Sequence, residues 1–469
     1  MWWAAAPGHA TNRTATAGAA AVHIEVRPAA ETPLRWIGLG VEFDPYSVPP
    51  SPQRWQQIEK RLDFMRPGFF RVMLDATDYC SGFDRSGHPS YAWAAGAAPA
   101  QGFQQLLRVL AYAQSRGVRV FLGQWSPPGS LGVHSPSDPR WAAMQADLVA
   151  YLVHQRHMTV ITDAIFFNEP NGQWMWRHSA PDFPAWIAGV AHLRAALDAR
   201  GLQQIGVAGP DNSGDTAWFN RAVQQEHSLF RVWESHIYAT DAQVNGRQIE
   251  QQLQAQTATI LKDDPEGAAK ERFIAEAGLQ DGKNQTLDQQ PRVFDFPYGV
   301  MMADYVVQVA DAGWLGVDGW DLDDAMHANG HGGLKIWGFW NSSAPDGMTL
   351  RPWFYAWSIL SRSLPRGAQL EEASCPEPSL RVAAAGWEKR DVREETVVIV
   401  NRGDQAQQAV IADGGLRGTL AEYIYASDSR SVDAQTGFAR PLRTIPDATG
   451  GATVQVPANA VLVLTTDVP

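Results

Sequence analysis

The chain has 469 residues, more than one ordinary core takes, so two domains are expected. Its 38 basic and 50 acidic residues leave a formal charge of −12, which argues against nucleic acid and anionic membrane as partners and favours a neutral substrate. No apolar run reaches the roughly 18 residues of a transmembrane helix.

Met1-Trp2-Trp3-Ala4-Ala5-Ala6 is too short, and lacks the basic residues, for a complete signal peptide. Residues 1–20 are rich in Ala, Thr and Gly and are expected to be disordered. Ala21 to Val26 alternates and reads as a strand.

From Trp36 a unit recurs: a short apolar strand, a turn, then a helix. The strands are Trp36–Phe43, Phe69–Asp75, Val118–Trp125, Ala164–Glu169, Ile205–Pro210, Val232–Tyr238, Phe273–Ala277 and Gly316–Asp321. Helices fall between them; in the first, Trp55, Ile58, Leu62 and Met65 recur at helical spacing. Phe103–Arg116, Trp141–His154, Phe183–Ala199 and Tyr298–Ala312 share that period. Eight such units predict an α/β fold, a (β/α)8 TIM barrel over residues 36–365. A doubly wound sheet would bring a Gly-rich phosphate turn after its first strand, and none is present. After residue 366 short strands follow without helices: 380–385, 396–400, 408–411, 420–425, 452–456 and 461–464. They predict an antiparallel β-sandwich domain at the C-terminus, built from 366–469 with 21–35 added.

A barrel of this kind places its chemistry where strands end. The second predicted strand carries Arg71, and the third ends in Gln124 and Trp125. The fourth ends in Asn168-Glu169-Pro170-Asn171. The sixth carries His236 and Tyr238, the seventh Glu276, and the eighth ends in Trp320 and Asp321. Taken singly these are commonplace: a solvated Glu, a buried Arg in an ion pair, a core His. Together, two glutamates on separate buried strands match the needs of acid/base and nucleophilic chemistry on a glycosidic bond. Glu276 would be the nucleophile, kept ionised by Arg71 and Tyr238. Glu169 would be the acid/base, its pKa raised by the charge of Glu276. Asn168 would bond the sugar 2-hydroxyl, Trp320 would form a floor under the ring, and His236 would hold Glu169 or a hydroxyl. The 19 tryptophans exceed what packing usually asks; about half are expected in cores, and Trp174, Trp176, Trp337, Phe339 and Trp340 are candidate sugar platforms.

Asn168-Glu169-Pro170, Glu276, Arg71 and His236-Ile237-Tyr238 in these strand positions resemble clan A glycoside hydrolases. The resemblance spans about residues 36–365. The closing segment Val456-Pro457-Ala458-Asn459-Ala460-Val461-Leu462-Val463-Leu464 is similar to the sandwich of families 39, 30 and 51, while family 5 shares many barrel motifs. It implies a retaining hydrolase of β-linked glycosides in plant or microbial polysaccharides or oligosaccharides, with an α-L-arabinofuranosidase-like activity as the alternative. It implies no cofactor, a carbohydrate partner, and work outside the cytoplasm, secreted or in a bacterial periplasm.

Two rival classes stand beside this reading. A metal-dependent barrel hydrolase would carry His-x-His on its first strand, which instead ends Val41-Glu42-Phe43-Asp44. A non-catalytic carbohydrate-binding protein would not need both glutamates. Asp321-Leu322-Asp323-Asp324 with His327 and His331 matches no metal motif, so no metal is expected and Asp321 or Asp323 would face sugar hydroxyls. Cys80 and Cys375 lie in different predicted domains and are expected to be free thiols.

Overall fold

A computed structural model describes residues 21–29, 32–47, 51–94, 100–176, 179–345, 348–413, 415–428 and 431–468. The expected disorder of residues 1–20 lies outside the described residues. Strand β1 is Val22–Arg27, β2 Gly38–Glu42, β3 Phe69–Leu74, β4 Cys80–Phe83, β5 Pro89–Tyr91, β6 Arg119–Gln124, β7 Ile161–Ile165, β8 Gly206–Ser213, β9 Val232–Ala239, β10 Glu271–Leu279 and β11 Gly316–Gly319. Strands β2, β3, β6, β7, β8, β9, β10 and β11 pair in parallel in that order, and β11 closes onto β2. This is the (β/α)8 barrel that the eight repeated units predict.

Helices α1 (Pro52–Met65), α2 (Gln101–Arg116), α3 (Pro139–Ala150), α4 (Phe183–Asp198), α5 (Thr216–Glu226), α6 (Asp241–Asn245), α7 (Gln248–Asp263), α8 (Phe296–Asp311) and α9 (Pro352–Ser363) connect or cover the strands. Helix α1 shows why they form. The Ser51 hydroxyl accepts from the Arg54 N–H, Pro52 opens the first turn, and Trp55, Ile58, Leu62 and Met65 are buried along one face. The chain then leaves through Arg66 in the left-handed conformation.

The lower end of the barrel is packed solid. Phe69 stands edge-on to Phe121 and Phe273 at 5.5 and 5.2 Å, among Ile37, Met73 and Ile165. Near the strand starts Asp163 is fully buried and takes hydrogen bonds from Arg119 at 2.7 Å and Arg231 at 2.7 Å. This leaves only the C-terminal end of the barrel open for a site.

The remaining strands are β12 (Gln369–Ser374), β13 (Leu380–Lys389), β14 (Val392–Asn401), β15 (Gln407–Asp413), β16 (Leu420–Tyr425), β17 (Arg443–Ile445), β18 (Gly451–Val456) and β19 (Ala460–Thr465). They join β1 in the order β17-β16-β19-β14-β13-β12-β1-β15-β18. The first half of β12 pairs with β13 and the second half with β1, so this strand passes between the two layers of a sandwich. Pairing is antiparallel except where β1 runs parallel to β15. Ile24, Val26, Val397, Ile399, Ile411, Leu462 and Leu464 fill the space between layers. The alternate residues Val398, Val400, Tyr423, Tyr425, Val461 and Val463 join the barrel core instead. Strand β14 is thus buried on both faces, which is why it reads as a continuous apolar run. Tyr425 stacks on Phe296 of α8 at 4.5 Å and donates to its carbonyl at 2.9 Å. Gly299 permits this, because a Cβ there would stand 2.7 Å from the Tyr425 hydroxyl. Cys80 and Cys375 are both free.

Asp163 generates a stability prediction. Asp163→Ala leaves Arg119 and Arg231 without their shared carboxylate and is expected to cost about 3 kcal/mol in urea denaturation. Any activity per folded molecule should be unchanged, because the residue lies at the end of the barrel opposite the cavity.

Candidate active site

Three local departures from regular backbone aim the carboxylates. In β10 the pairing with β9 shifts between Ile274 and Glu276, which inserts Ala275 as an extra residue. Ala275 belongs to the apolar cluster inside the barrel, yet Glu276, the next residue, lines the cavity. Regular alternation would send one of the two outward; the bulge keeps both inside. In β8 the same shift falls between Pro210 and Asn212, leaving Asp211 unpaired with φ +55°. Glu169 follows β7 with φ +43°. A left-handed backbone at a non-glycine residue is costly, and it is often found where a side chain must be aimed.

Arg71 sits at the centre, fully buried. Its Nη1 donates to Glu276 Oε1 at 2.8 Å and to Glu42 Oε2 at 2.9 Å. Its Nη2 donates to Asn168 Oδ1 at 2.6 Å and to Asp211 Oδ2 at 2.9 Å. The Tyr238 hydroxyl donates to Glu276 Oε2 at 2.6 Å. His236 bridges the two glutamates: Nδ1 lies 3.1 Å from Glu169 Oε1 and 3.5 Å from Glu276 Oε2, while Nε2 lies 2.9 Å from Asp211 Oδ1. Trp174 Nε1 donates to Glu169 Oε2 at 2.5 Å. One oxygen each of Glu169 and Glu276 and one nitrogen of His236 all lie within 4.8 Å of one another.

These contacts set the charges. Burial opposes the His236 cation, but Glu276 and Asp211 outweigh it and hold the pKa well above 6.5, so the ring is an imidazolium at neutral pH. Burial likewise opposes ionised Asp211, and Arg71 and His236 overcome it, bringing the carboxyl to about 2. Glu42, Glu234 and Asp318 go the other way, pushed well up chiefly by burial, and are neutral. Arg71 and His236 therefore face Asp211, Glu169 and Glu276, two positive groups against three acidic ones. Burial raises Glu276, and Glu169 adds to it, against the pull of His236 and Arg71. Glu169 feels burial too, but His236 and Trp174 bring it below its ordinary value. These contacts reverse the expected order, in which Glu169 held the raised pKa; the donors that touch Glu169 are the reason.

Two groups here have the spacing of a metal site, Glu169–His236–Glu276 and Asp211–Glu234–His236; a histidine ligand needs a free lone pair, whereas both nitrogens of His236 serve carboxylates.

Above this network opens a cavity of about 780 Å³. Asn168, Glu169, Glu276, Tyr238, Trp125, Trp174 and Trp320 line it, as the strand-end reading expects. Trp174 is 65% exposed, while Trp320 is stacked on His327 at 5.1 Å. Arg71 and His236 act from beneath. Two expected residues do not reach it. The amide of Gln124 is engaged by Tyr79 at 2.6 Å and Trp141 at 2.8 Å, tying the strand end to the helix layer. Asp321 is fully buried behind the cavity wall, and burial pushes its carboxyl well up into the neutral form. Asp323 is buried as well and caps the turn at Asp324–Met326. Of the other aromatic candidates, Trp337 lines the cavity, whereas Trp176, Phe339 and Trp340 pack in the core. Nine of the 19 tryptophans are among the largest fully buried side chains, in line with about half of them serving as packing.

The sequence reading gave no role to Glu42, Asp211, Glu234 or Asp318, nor to the rim formed by Tyr46, Asp75, Lys283, Asp288 and Lys335. Glu42 carries the same signal as Glu169, a carboxyl at a strand end. Asp211 was hidden because its strand appears to stop at Pro210. On the rim, Asp288 takes Lys283 and Lys335 at 2.7 Å each, and its carboxyl is lowered to about 2 despite burial.

No protein-family model and no curated protein matches this sequence. Solved structures do match its fold. A GH30 endoxylanase from Clostridium papyrosolvens aligns with TM-score 0.64 and 14% identity, over 95% of this chain and 99% of that one. A monomeric beta-xylosidase from Caulobacter crescentus aligns with TM-score 0.64 and 14% identity, over 95% and 98%. A GH39 enzyme from Xanthomonas axonopodis pv. citri aligns with TM-score 0.63 and 14% identity, over 97% and 99%. At this identity the likeness establishes the fold: the barrel and its β-domain are those of GH30 and GH39 structures.

The His236 cation carries a pH signature. Its folded pKa lies above the unfolded value, so its stabilisation is fully present below about pH 6.5 and is lost as pH rises through the raised folded value. Urea denaturation of the native protein and His236→Gln should therefore show the larger stability difference at pH 6 and a smaller one at pH 9. A difference that grows with pH would contradict the charge assigned to the ring.

Proposed function

We propose that the protein is a retaining glycoside hydrolase acting on β-linked glycosides by double displacement, without a cofactor. The observation that carries this reading is the approach of the Glu169 and Glu276 carboxyl oxygens within 4.8 Å. Retaining pairs stand about 5–5.5 Å apart, and inverting pairs roughly 6.5–9.5 Å to admit a water. Glu276 attacks the anomeric carbon while Glu169 protonates the departing oxygen. Water, deprotonated by Glu169, then releases the sugar from Glu276.

The surrounding contacts support these roles. Arg71 and Tyr238 hold one oxygen each of Glu276, which orients the nucleophile and stabilises its charge. Asn168 gives its carbonyl oxygen to Arg71, which turns its NH2 group toward the cavity as a donor for the sugar 2-hydroxyl. A glycosidic oxygen arriving beside Glu169 is an acceptor, which favours a proton on Glu169 and an ionised Glu276. Trp125, Trp174, Trp320 and Trp337 offer faces and edges for sugar rings. Structural neighbours bear the names endoxylanase, beta-xylosidase and glucosidase, so β-xylosides and β-glucosides are the first substrates to screen. An arabinofuranoside belongs in the same screen. The proposed setting is plant or microbial polysaccharide outside the cytoplasm; among the described residues no helix is long and apolar enough to cross a membrane.

Proton NMR of the first-formed product should show the substrate's own anomeric configuration; an inverted anomer would remove Glu276 as nucleophile. Glu276→Ala should abolish turnover on every substrate. Glu169→Ala should lose roughly 10²–10⁴-fold on poor leaving groups and little on activated aryl glycosides. His236→Gln takes a donor from Glu169 and a cation from Glu276. Both carboxyls then rise, so both limbs of the pH–kcat/KM profile should move to higher pH.

A further inference from the structure

We infer that the β-sandwich holds a hard divalent cation of the calcium class between Glu371, Glu395 and Asp413. The site stands apart from the barrel and from the function proposed above. One carboxylate oxygen from each residue lies within 4.8 Å of the other two. Oxygens bound to a single calcium at 2.3–2.6 Å can be no more than about 5 Å apart, so the three fit one coordination sphere.

The cluster is buried, unlike an ordinary acidic surface patch. Glu395 is 1% exposed, Asp413 3%, and the Glu371 side chain 2%. Each keeps one buried oxygen without a hydrogen-bond partner: Glu371 Oε2, Glu395 Oε2 and Asp413 Oδ2. The other oxygens of two residues are in use. Arg393 pairs with Glu371 Oε1, and Asp413 Oδ1 accepts the Gly415 and Leu416 N–H groups at 2.7 and 3.3 Å. A buried carboxylate oxygen without a partner is expensive. A single shared proton joins only two oxygens and leaves the third alone, whereas a cation satisfies all three.

Charge agrees. Ionised, the three carboxylates against the Arg393 guanidinium leave two negative charges, the complement of a divalent ion; with no ion between them, burial and the Glu371 and Asp413 carboxyls push Glu395 up to about 10. All ligands are oxygens, which selects a hard cation, and the irregular set suits calcium better than octahedral magnesium. The backbone is built around the cluster. Gly386, opposite Glu395 in the ladder, leaves room for Arg393 and Glu371, since a Cβ there would lie 2.3 and 2.7 Å from them. A Cβ at Gly415 would lie 1.9 Å from Glu395 Oε2. Glu371 and Glu395 stand on the layer facing the barrel, and Asp413 ends β15 in the other layer, beside Val26. The ion would therefore pin the two layers together.

The test uses the full chain, stripped with EDTA and titrated with CaCl2. Calorimetry and elemental analysis should give one calcium per chain, with a rise in Tm that magnesium at equal concentration does not match. Glu395→Gln and Asp413→Asn should each lose the calcium-dependent Tm shift; should either fail to fold, the stoichiometry of the native protein decides. No bound calcium, a Tm shift kept by both variants, or an equal response to magnesium would overturn the assignment. So would a Tm that ignores calcium but rises from pH 7.5 to pH 5.5, the mark of a shared proton.

Discussion

The site depends on one guanidinium. Arg71 is buried with acidic groups from three other barrel strands around it, and it touches Glu42, Glu276, Asp211 and Asn168 at once. No other arrangement of this strand would be tolerable, because an unpaired buried cation is prohibitive, and so are the acids without it. The planar fork also fixes geometry. Each nitrogen faces a different pair of partners, so the positions of β2, β3, β7, β8 and β10 are tied to one another through a single side chain. His236 repeats the device one layer nearer the cavity, joining Asp211 below to both glutamates above.

The barrel meets these demands by breaking its own regularity at three places. The bulges at Ala275 and Asp211 and the left-handed Glu169 all lie where a carboxylate must be re-aimed. Strain of about 1–3 kcal/mol at such a residue persists only if its surroundings over-determine it. Here the surroundings are the charged network above and the phenylalanine-packed interior below. Rigid packing underneath and directed hydrogen bonds on top leave the carboxyls little freedom, which is what preorganised catalysis asks of a scaffold.

The second domain is continuous with the first in packing. Strand β14 sends alternate residues to the sandwich interior, Val397 and Ile399, and to the barrel core, Val398 and Val400, on the side of helix α8. At about 1.5–3 kcal/mol for each large aliphatic side chain buried, the shared face is a major part of barrel stability. Strand β1, which precedes the barrel in the chain, lies between β12 and β15, so segments from before and after the barrel share this sheet. The tryptophans follow the same logic. About half fill wide gaps between helices and strands, and the few at the cavity are held there by neighbours such as His327.

Periodicity and one missing turn made the barrel legible. Apolar runs of strand length, alternating with helical repeats such as Trp55, Ile58, Leu62 and Met65, fit a closed barrel or a doubly wound sheet, and the second would need a Gly-rich phosphate turn after its first strand. Asn168-Glu169-Pro170 and Glu276 were legible for a related reason: a carboxyl at the end of an apolar strand has no local purpose. What the sequence could not determine is where side chains meet. Bulges leave no compositional mark, so β8 appeared to end at Pro210 and Asp211 went unread. Gln124 and Asp321 looked like strand-end site residues, but Tyr79 and Trp141 claim one and burial claims the other. Protonation lay furthest from reach, since it depends on the sum of charges that five strands bring into one buried volume. A sequence orders the residues along each strand; only closure of the barrel decides which of them share a field.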